Sequence, residues 1–425
     1  MNLTIDKPVY GGDSLGRAEE AGKAIFVPFT LPGEIVDATI NEEKRTYAKA
    51  ELDAVLTPSP SRVVPACAHF GVCGGCHYQH ADYAAQLTMK QQILRETLTR
   101  AGVSIPSEIA VLASNNPWAY RNRIRMALTQ SAELAYRGRR SHELVPIREC
   151  PIAAPILFET AQRAAQFFQR NPAPAAISEM ELFTNPDQSQ LLLTLFTESA
   201  TEPATSWLDE LHSVLPSQTT GLRLQVADNA LNATILATQG HSSLTYEAAN
   251  FPYRVDHGAF FQINRWMIDD FAALVVKGAQ GSLAWDLYAG VGLFARQLAA
   301  CCGEVVAVES APASLAALQE NLAGVKAGGF ASTTLDFLRR NREQREARPD
   351  LIILDPPRAG LGDQVTHLLN AIHAPEMVYV SCDPTTLARD LRQLTQERYR
   401  IESITLADMF PQTFHVETVV RLRRA

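Results

Sequence analysis

Three potentially reactive side chains lie beside apolar runs in the C-terminal part of the chain. Asp355 follows one such run and precedes two prolines, whose rings would fix the shape of the loop. Cys382 follows the next run. Because parallel strands bring their carboxyl ends to one ligand-binding edge of a sheet, we expect Asp355 and Cys382 to lie close together. Glu417 lies in an apolar strand, where burial would raise its pKa towards that of a usable base; the alternative is a salt bridge to Arg421 or Arg423.

A thiolate, a carboxylate base and a methyl donor are together what methylation at C5 of a pyrimidine requires. C5 of uracil is too weak a nucleophile to attack a methyl sulfonium, but addition of Cys382 to C6 would create an enolate and make C5 nucleophilic. Glu417 would then remove the C5 proton, and elimination would release Cys382, while Asp355 could hold the edge of the ring. A base in structured RNA would first have to be flipped out. N-methylation at the Asp355 loop is an alternative, but it would leave the thiol and Glu417 unused.

A turn with two glycines after the apolar run 283–287 predicts a nucleotide site. Gly290 and Gly292 would let the backbone approach a ligand closely. Glu309 ends the next apolar run, where its carboxylate could accept hydrogen bonds from both ribose hydroxyls. This spacing also fits the dinucleotide fingerprint. Asp286, four residues before Gly290, favours S-adenosylmethionine, since it could meet the ammonium of that cofactor.

Four of the seven cysteines have the ligand count of a metal centre. Cys67, Cys73 and Cys76 are spaced by five and two residues, and Cys150 follows after a long gap. A disulfide framework is improbable in a cytosolic chain. Zinc and an iron–sulfur cluster both accept four thiolates, and the spacing does not choose between them. The C-x3-C-x2-C pattern of radical enzymes is absent.

The charge of the chain is unevenly distributed. The net charge is −8, which taken alone argues against a nucleic-acid partner. Residues 151–250, however, hold three Arg against ten Asp and Glu, whereas residues 117–150 hold seven Arg against three Glu. We therefore expect an RNA-binding surface that joins the N-terminal residues 1–56, the cysteine segment and the catalytic edge. The acidic block, residues 151–250, would face elsewhere.

Strand and helix signals divide the chain into three regions. Short strands with Gly and Pro turns in residues 1–56 suit a small barrel. From about residue 280, apolar strands alternate with helices in the manner of a doubly wound α/β fold. We expect these strands at 283–287, 304–308, 331–334, 351–354, 377–381, 402–406 and 416–422. No apolar run approaches the ~18 residues of a membrane span.

Taken together, the motifs resemble those of the RNA uracil-C5 methyltransferases, and most of all the bacterial 23S rRNA (uracil-5-)-methyltransferases. The resemblance covers nearly the whole chain, and its conjunction of motifs is highly specific. Members of the family often have Asn where this chain has Leu293 and Asp383; the Asp383 charge could raise the pKa of the neighbouring thiol. The matching runs are Phe260-Phe261-Gln262-Ile263-Asn264, 286–292, Leu354-Asp355-Pro356-Pro357-Arg358, 381–390 and His415-Val416-Glu417.

The resemblance implies roles for individual residues. Cys382 would be the nucleophile and Glu417 the proton acceptor. The four cysteines would bind a [4Fe–4S] cluster with a structural role, since methylation needs no electron. The residues that would bind S-adenosylmethionine or line its pocket are Gln262, Tyr288, Gly290, Glu309, Asp336 and Asp355.

The resemblance also implies a multidomain architecture. Residues 1–57 would form an OB-like TRAM β-barrel that binds RNA, and residues 58–250 an α+β central domain with the Fe–S cluster. Within it, a helical segment at about 80–112 is a candidate to pack on the catalytic domain. Residues 251–425 would form a Rossmann-like α/β class I methyltransferase domain.

We expect a cytoplasmic monomer that methylates 23S rRNA and binds no membrane. A tRNA uracil-C5 methyltransferase and a non-catalytic RNA-binding or assembly factor of the same fold are the alternatives.

Overall fold

The computed structural model describes residues 1–18, 21–171, 176–198, 200, 205–226, 234–342 and 348–425. The N-terminal strands close into a barrel in the order β1-β2-β3-β5-β4, which confirms the predicted small barrel. Alternate residues such as Leu3 and Ile5 face its interior, as the two-residue period of a strand requires. The strands are β1 (Asn2–Pro8), β2 (Asp13–Ala18), β3 (Ala21–Pro28), β4 (Ile35–Glu43) and β5 (Tyr47–Thr57).

A long helix after the cysteine segment packs on the C-terminal sheet. Helix α1 (Tyr83–Arg100) begins where the Asp82 side chain accepts a hydrogen bond from the amide of Ala85 at 2.8 Å. Its Leu94 and Leu98 are fully buried in the same core as the C-terminal strands. Strand β6 (Ala110–Leu112) then joins the edge of that sheet. The region before residue 113 therefore contributes both the barrel and an edge strand of the C-terminal sheet.

Within the described ranges, seven strands form the central sheet in the order β13-β12-β11-β10-β7-β8-β9. Two helices cover it through Trp207, Phe167 and Phe168. The hairpin that follows packs into the core of the C-terminal sheet instead. The elements are β7 (Arg123–Leu128), β8 (Leu134–Arg137), β9 (Leu144–Pro146), α2 (Pro155–Arg170), β10 (Ile177–Thr184), β11 (Leu191–Thr197), α3 (Thr205–Val214), β12 (Thr219–Val226), β13 (Ile235–Gly240), β14 (Ser243–Ala248) and β15 (Phe251–Asp256).

The C-terminal sheet has the order β18-β17-β16-β19-β20-β22-β21-β6 over the part of the chain that the structure describes. Strands β16 to β20 run parallel, and β22 inserts antiparallel between β20 and β21. Its elements are α4 (Ile268–Val276), β16 (Gly281–Leu287), α5 (Leu293–Leu298), β17 (Cys302–Glu309), α6 (Pro312–Asn321), β18 (Ala327–Ala331), α7 (Thr334–Asn341), β19 (Leu351–Leu354), α8 (Gly362–Ile372), β20 (Glu376–Ser381), α9 (Pro384–Glu397), β21 (Tyr399–Ala407) and β22 (Glu417–Arg424).

The strand expected at 331–334 is wrong. Strand β18 ends at Ala331, and Thr334 begins α7. The side chain of Thr333 accepts a hydrogen bond from the amide of Asp336, so that the threonine pair starts a helix rather than continuing a strand.

Among the helices of the described ranges, none combines the length and apolarity that crossing a membrane would need.

A buried ion pair fastens α1 to the loop between β21 and β22. Lys90 and Asp408 are both fully buried, and the ammonium lies 2.5 Å from the carboxylate and 2.9 Å from the carbonyl oxygen of Phe410. Two hydrogen bonds, of 2.9 and 3.0 Å, join the side chain of Gln86 to Gln412 in the same loop. Because this loop leads into Glu417, α1 fixes the start of β22.

We predict that Lys90→Met lowers the free energy of unfolding by about 3–5 kcal/mol, because it leaves the Asp408 carboxylate buried without its cation. Urea unfolding followed by circular dichroism would measure the loss. The double variant Lys90→Met/Asp408→Asn should recover most of it, since no unpaired charge remains. A single variant as stable as the wild type would contradict the role of the pair.

Candidate active site

Three adjacent strands bring the predicted catalytic side chains to one edge of the sheet. Asp355 follows β19, and Cys382 follows the neighbouring β20. Ser381 of β20 pairs with Thr418 of β22, so that Cys382 and Glu417 lie beside each other. Cys382, Glu417 and Asp355 are close enough to affect one another's ionisation. The structure thus brings together residues that are up to 62 positions apart in the sequence.

Burial disfavours the negatively charged forms of the acids at this edge. Glu417 is only 5% exposed, and burial together with Asp355 raises its pKa well above the usual value. Burial likewise raises the pKa of Asp355 to about 7, although a hydrogen bond of 3.2 Å from the Gln262 amide opposes the shift. The pKa of Cys382 rises to about 12, first through burial and then through Glu417. Near neutral pH the site therefore favours the thiol form of Cys382 and the protonated form of Glu417, while Asp355 takes both forms.

Arg358 is the cation that acts on this group of acids. Its charge favours the ionised forms of both Cys382 and Glu417 and so lowers their pKa values. The guanidinium lies 3.3 Å from Nε2 of His415, whose pKa falls to about 3 because it is buried and faces that cation. His415 is therefore neutral, and sequence reasoning had left it without a role.

The alternative salt bridge for Glu417 is not formed. Arg421 lies 3.3 Å from Glu376, and Arg423 lies 2.8 Å from Glu402. Both arginines thus have other carboxylate partners, while Glu417 stays at the buried edge with Cys382.

A small cavity lies beside Asp355, at the turn that follows β16. Its volume is about 30 Å³, and Gln262, Tyr288, Gly290 and Asp355 lie on its wall. Tyr288 has a φ of 69° and Gly290 a φ of 56°, which are left-handed conformations that make the turn sharp. Four of the residues predicted to meet the cofactor therefore share one cavity.

Glu309 and Asp336 are placed differently from those four. Glu309 accepts hydrogen bonds from the amides of Gly290, Ser310 and Ala311, at 2.8, 2.6 and 2.6 Å. The bond from Gly290 stabilises the turn after β16. Asp336 lies in the first turn of α7, where it accepts from the hydroxyl of Thr333 at 2.8 Å. Asp336 is not on the wall of the cavity, and its cofactor contact stays a prediction.

Asp286, at the end of β16, is fully buried. Burial raises its pKa to about 8, although the backbone amide of Ala295 opposes the shift. No cationic side chain of the described ranges forms an ion pair with it. A carboxyl held in this way would gain strongly from an ammonium placed against it, as the sequence analysis expected of a bound amino-acid moiety.

The four cysteines predicted to bind metal line one cavity of about 690 Å³, between the cysteine segment and the β8–β9 hairpin. Gly74 favours this approach, because an added Cβ would lie in a tight contact 3.0 Å from the carbonyl oxygen of Arg137. Gln79 hydrogen-bonds Cys76, and Tyr136 hydrogen-bonds Cys150. In this arrangement, no three His, Cys, Asp or Glu side chains of the described residues have the geometry of a metal site. The donor set fits a thiolate-bound cluster in number and type.

The expectation that the acidic block faces elsewhere is wrong for part of it. Glu179 lies on the wall of the same cavity and is 2.6 Å from Arg125. Glu181 lies 3.2 Å from Arg123. Because β7 and β10 are antiparallel neighbours, their charged residues pair across the strands. The arginine-rich segment is thus partly neutralised by the block that follows it.

Residues 82–425 match the family model described as tRNA (Uracil-5-)-methyltransferase, and residues 1–52 match that of the TRAM domain. The 23S rRNA (uracil(1939)-C(5))-methyltransferase of Pectobacterium atrosepticum is 33% identical, over 98% of this chain and 93% of that protein. The enzyme of the same name from Edwardsiella ictaluri is 31% identical, over 96% and 93%.

A solved structure extends the similarity to the fold. The Pyrococcus abyssi tRNA (uracil-54, C5)-methyltransferase, in complex with S-adenosyl-L-homocysteine, superimposes with a TM-score of 0.79 at 25% identity. The match covers 99% of this chain and 100% of that one. The barrel, the cysteine segment and the sheet that carries Cys382 are thus all within the matched region.

We predict that Asp286→Asn removes a loss of folding stability that the wild type suffers as the pH rises. With a folded pKa of about 8 and an unfolded value near 4, the folded wild type holds one more proton between these limits, so its stability falls as pH rises. The variant and the wild type should differ least near pH 4, and the variant should gain on the wild type up to about pH 8. Thermal melts from pH 5 to 9 would measure the difference. A difference independent of pH would contradict the assignment.

Proposed function

Because this chain belongs to the RNA (uracil-5-)-methyltransferase family, we propose that it transfers a methyl group from S-adenosylmethionine to C5 of a uracil in 23S rRNA. The observation that carries the proposal is the placement of Cys382 beside Glu417, next to the Ser381–Thr418 pair, at a sheet edge near the cavity that Asp355 and Gln262 line. The two 23S rRNA enzymes, at 31–33% identity over nearly the full chain, support rRNA as the substrate.

The reaction starts when Cys382, after losing its proton to solvent, adds as a thiolate to C6 of the flipped uracil. The bond from sulfur to C6 forms as the C5–C6 electron pair moves towards the C4 oxygen, which gives an enolate. Since burial and Glu417 hold the thiol in its protonated form, Arg358 contributes by favouring the thiolate.

Asp355 and Gln262 would hold the base next to the cofactor. With a pKa near 7, the Asp355 carboxyl is available both as a donor and as an acceptor for the polar edge of uracil. Gln262 holds one of its oxygens in place and lies on the same cavity wall. S-adenosylmethionine, held at the turn after β16 by residues such as Tyr288 and Gly290, would supply the electrophilic methyl group that C5 of the enolate takes up.

Glu417 completes the reaction by removing the C5 proton. As that proton leaves, the C5–C6 double bond re-forms and the bond from C6 to sulfur breaks, which frees Cys382. The raised pKa of Glu417 makes its carboxylate a stronger base than an exposed glutamate. Arg358 keeps a fraction of it ionised.

We also propose that Cys67, Cys73, Cys76 and Cys150 hold a [4Fe–4S] cluster. Their convergence on one cavity and the close approach at Gly74 support the proposal. Arg121 lies on the same wall and forms no carboxylate ion pair in the described part of the chain, so its charge is available to an anionic cluster. The cluster would join the cysteine segment to the central sheet, and no step of the methylation passes through it.

We predict that Cys382→Ala lowers turnover by at least about a thousandfold, because alanine cannot add to C6 and so leaves C5 unactivated. Methylation of 23S rRNA fragments with methyl-labelled S-adenosylmethionine would measure it. Cys301→Ala is the matched control, because Cys301 is exposed and far along the chain from the site. Wild-type turnover by Cys382→Ala would refute the covalent mechanism.

Glu417→Gln should accumulate the methylated covalent adduct, since glutamine cannot take the C5 proton. A labelled protein–RNA band on a denaturing gel would report it. Glu402→Gln, on the exposed side of the neighbouring strand, should show no such band. If Glu417→Gln turns over without an adduct, another group is the base.

The choice of RNA is tested by offering unmodified 23S rRNA and tRNA separately and mapping 5-methyluridine. Label in rRNA is the expected result. Label in tRNA alone would instead assign the second candidate function, which the similarity to the Pyrococcus abyssi enzyme favours. Label in neither RNA would contradict both candidate functions and favour an RNA-binding protein without methyltransferase activity.

For the cluster, anaerobically purified protein should contain about four irons per chain and absorb in the visible region. Cys76→Ser should lose both, whereas Cys301→Ser should keep them. Zinc in place of iron, or no metal at all, would contradict the cluster.

A further inference from the structure

The barrel touches the catalytic loop through one tyrosine. Tyr10 lies in the turn between β1 and β2, and its hydroxyl donates a hydrogen bond of 2.9 Å to Oδ2 of Asp383, 373 residues later. Asp383 is the residue directly after Cys382. No sequence motif signals this contact, because a turn in a distant barrel supplies the donor.

Asp383 is held on its other side by the helix that follows. Its Oδ1 accepts hydrogen bonds from the amides of Thr385 and Thr386, at 2.8 and 3.0 Å, and so caps the N-terminus of α9. Its own amide donates to the hydroxyl of Ser381 at 3.3 Å. Both residues that flank Cys382 are therefore fixed, and both oxygens of the carboxylate are engaged.

Tyr10 is fixed in turn by the rest of the molecule. Its ring meets that of Phe414 edge to face, with centroids 5.3 Å apart. The turn closes through a hydrogen bond of 2.9 Å from the amide of Val9 to the carbonyl of Asp13. Arg139 and Arg140 bind the Asp13 carboxylate at 2.8 and 2.7 Å. The tyrosine is thus a preorganised donor and not a loose surface group.

We propose that Tyr10 is a positioning residue for the nucleophile, and that its hydrogen bond to Asp383 offsets the negative charge next to Cys382 and ties the catalytic loop to the barrel. The proposal rests on the proposed function, in which Cys382 is the nucleophile. A carboxylate beside a thiol opposes its ionisation, and a hydroxyl that donates to this carboxylate reduces the opposition. Tyr10 remains a donor in the working pH range, because burial and Asp383 raise its pKa.

The other charged groups around the thiol belong to different elements. Glu417 faces it from β22, and Asp355 and Arg358 face it from the loop after β19. Asp383 belongs to its own loop. Among these groups, Asp383 is the one that Tyr10 hydrogen-bonds, so an effect of Tyr10 on the thiol should depend on the charge at position 383.

The reactivity of Cys382 towards iodoacetamide tests this dependence. Mass spectrometry of the Cys382 peptide separates it from the other six cysteines. At pH 8, Tyr10→Phe should slow alkylation about three- to tenfold, since the rate follows the thiolate fraction. Asp383→Asn should speed it by a similar factor, while its amide oxygen still caps α9. In the Asp383→Asn background, Tyr10→Phe should change the rate less than about twofold.

A purely structural role gives a different pattern. A loosened loop would expose the thiol, so that Tyr10→Phe would speed alkylation equally in both backgrounds, and this would overturn the proposal. An unchanged rate in Asp383→Asn would also overturn it, even if Tyr10→Phe did not fold. Tyr47→Phe, in the same barrel, is the matched control and should react as the wild type does. Alkylation needs neither RNA nor S-adenosylmethionine, whereas failure of the proposed function would appear as unlabelled RNA.

Discussion

The site depends on the burial of several acids around a single guanidinium. Cys382, Glu417 and Asp355 meet at one sheet edge, and burial raises the pKa of each. Ionising all three together would place several negative charges in a region that excludes water, at a cost that Arg358 cannot offset alone. The groups must therefore ionise in turn. A reaction that uses first a thiolate and later a carboxylate fits such a site.

The rest of the molecule holds these groups at that edge. Helix α1 reaches the loop before β22 through Lys90 and Gln86. The cysteine segment reaches the same loop, since the amides of His77 and Tyr78 both donate to the carbonyl of Gln412. The barrel reaches the Cys382 loop through Tyr10. Residues from the first quarter of the sequence thus fix side chains from the last, which gives the accessory regions a direct part in the geometry of catalysis.

Local patterns predicted the features that depend on neighbouring residues. Apolar runs ending in Asp355 and Cys382 indicated the catalytic edge because a parallel sheet aligns the ends of its strands. The same reasoning failed at 331–334, where a helix cap resembles a β-branched strand. It could not find the partners of Arg421 and Arg423, nor the contact of Tyr10 with Asp383. Those depend on which distant elements meet, and a single sequence does not carry that information.

The pairing of charges constrains how RNA can be held. Arg139 and Arg140 bind Asp13, and Arg125 binds Glu179, so the arginine-rich segment presents less free positive charge than its composition suggests. Cations paired in this way contribute less to counterion release at the phosphates. Recognition by this segment then depends more on the shape of a folded RNA and on insertion of one unstacked base. That requirement agrees with the partly buried position of Cys382, the proposed nucleophile, which a base turned out of its helix would reach.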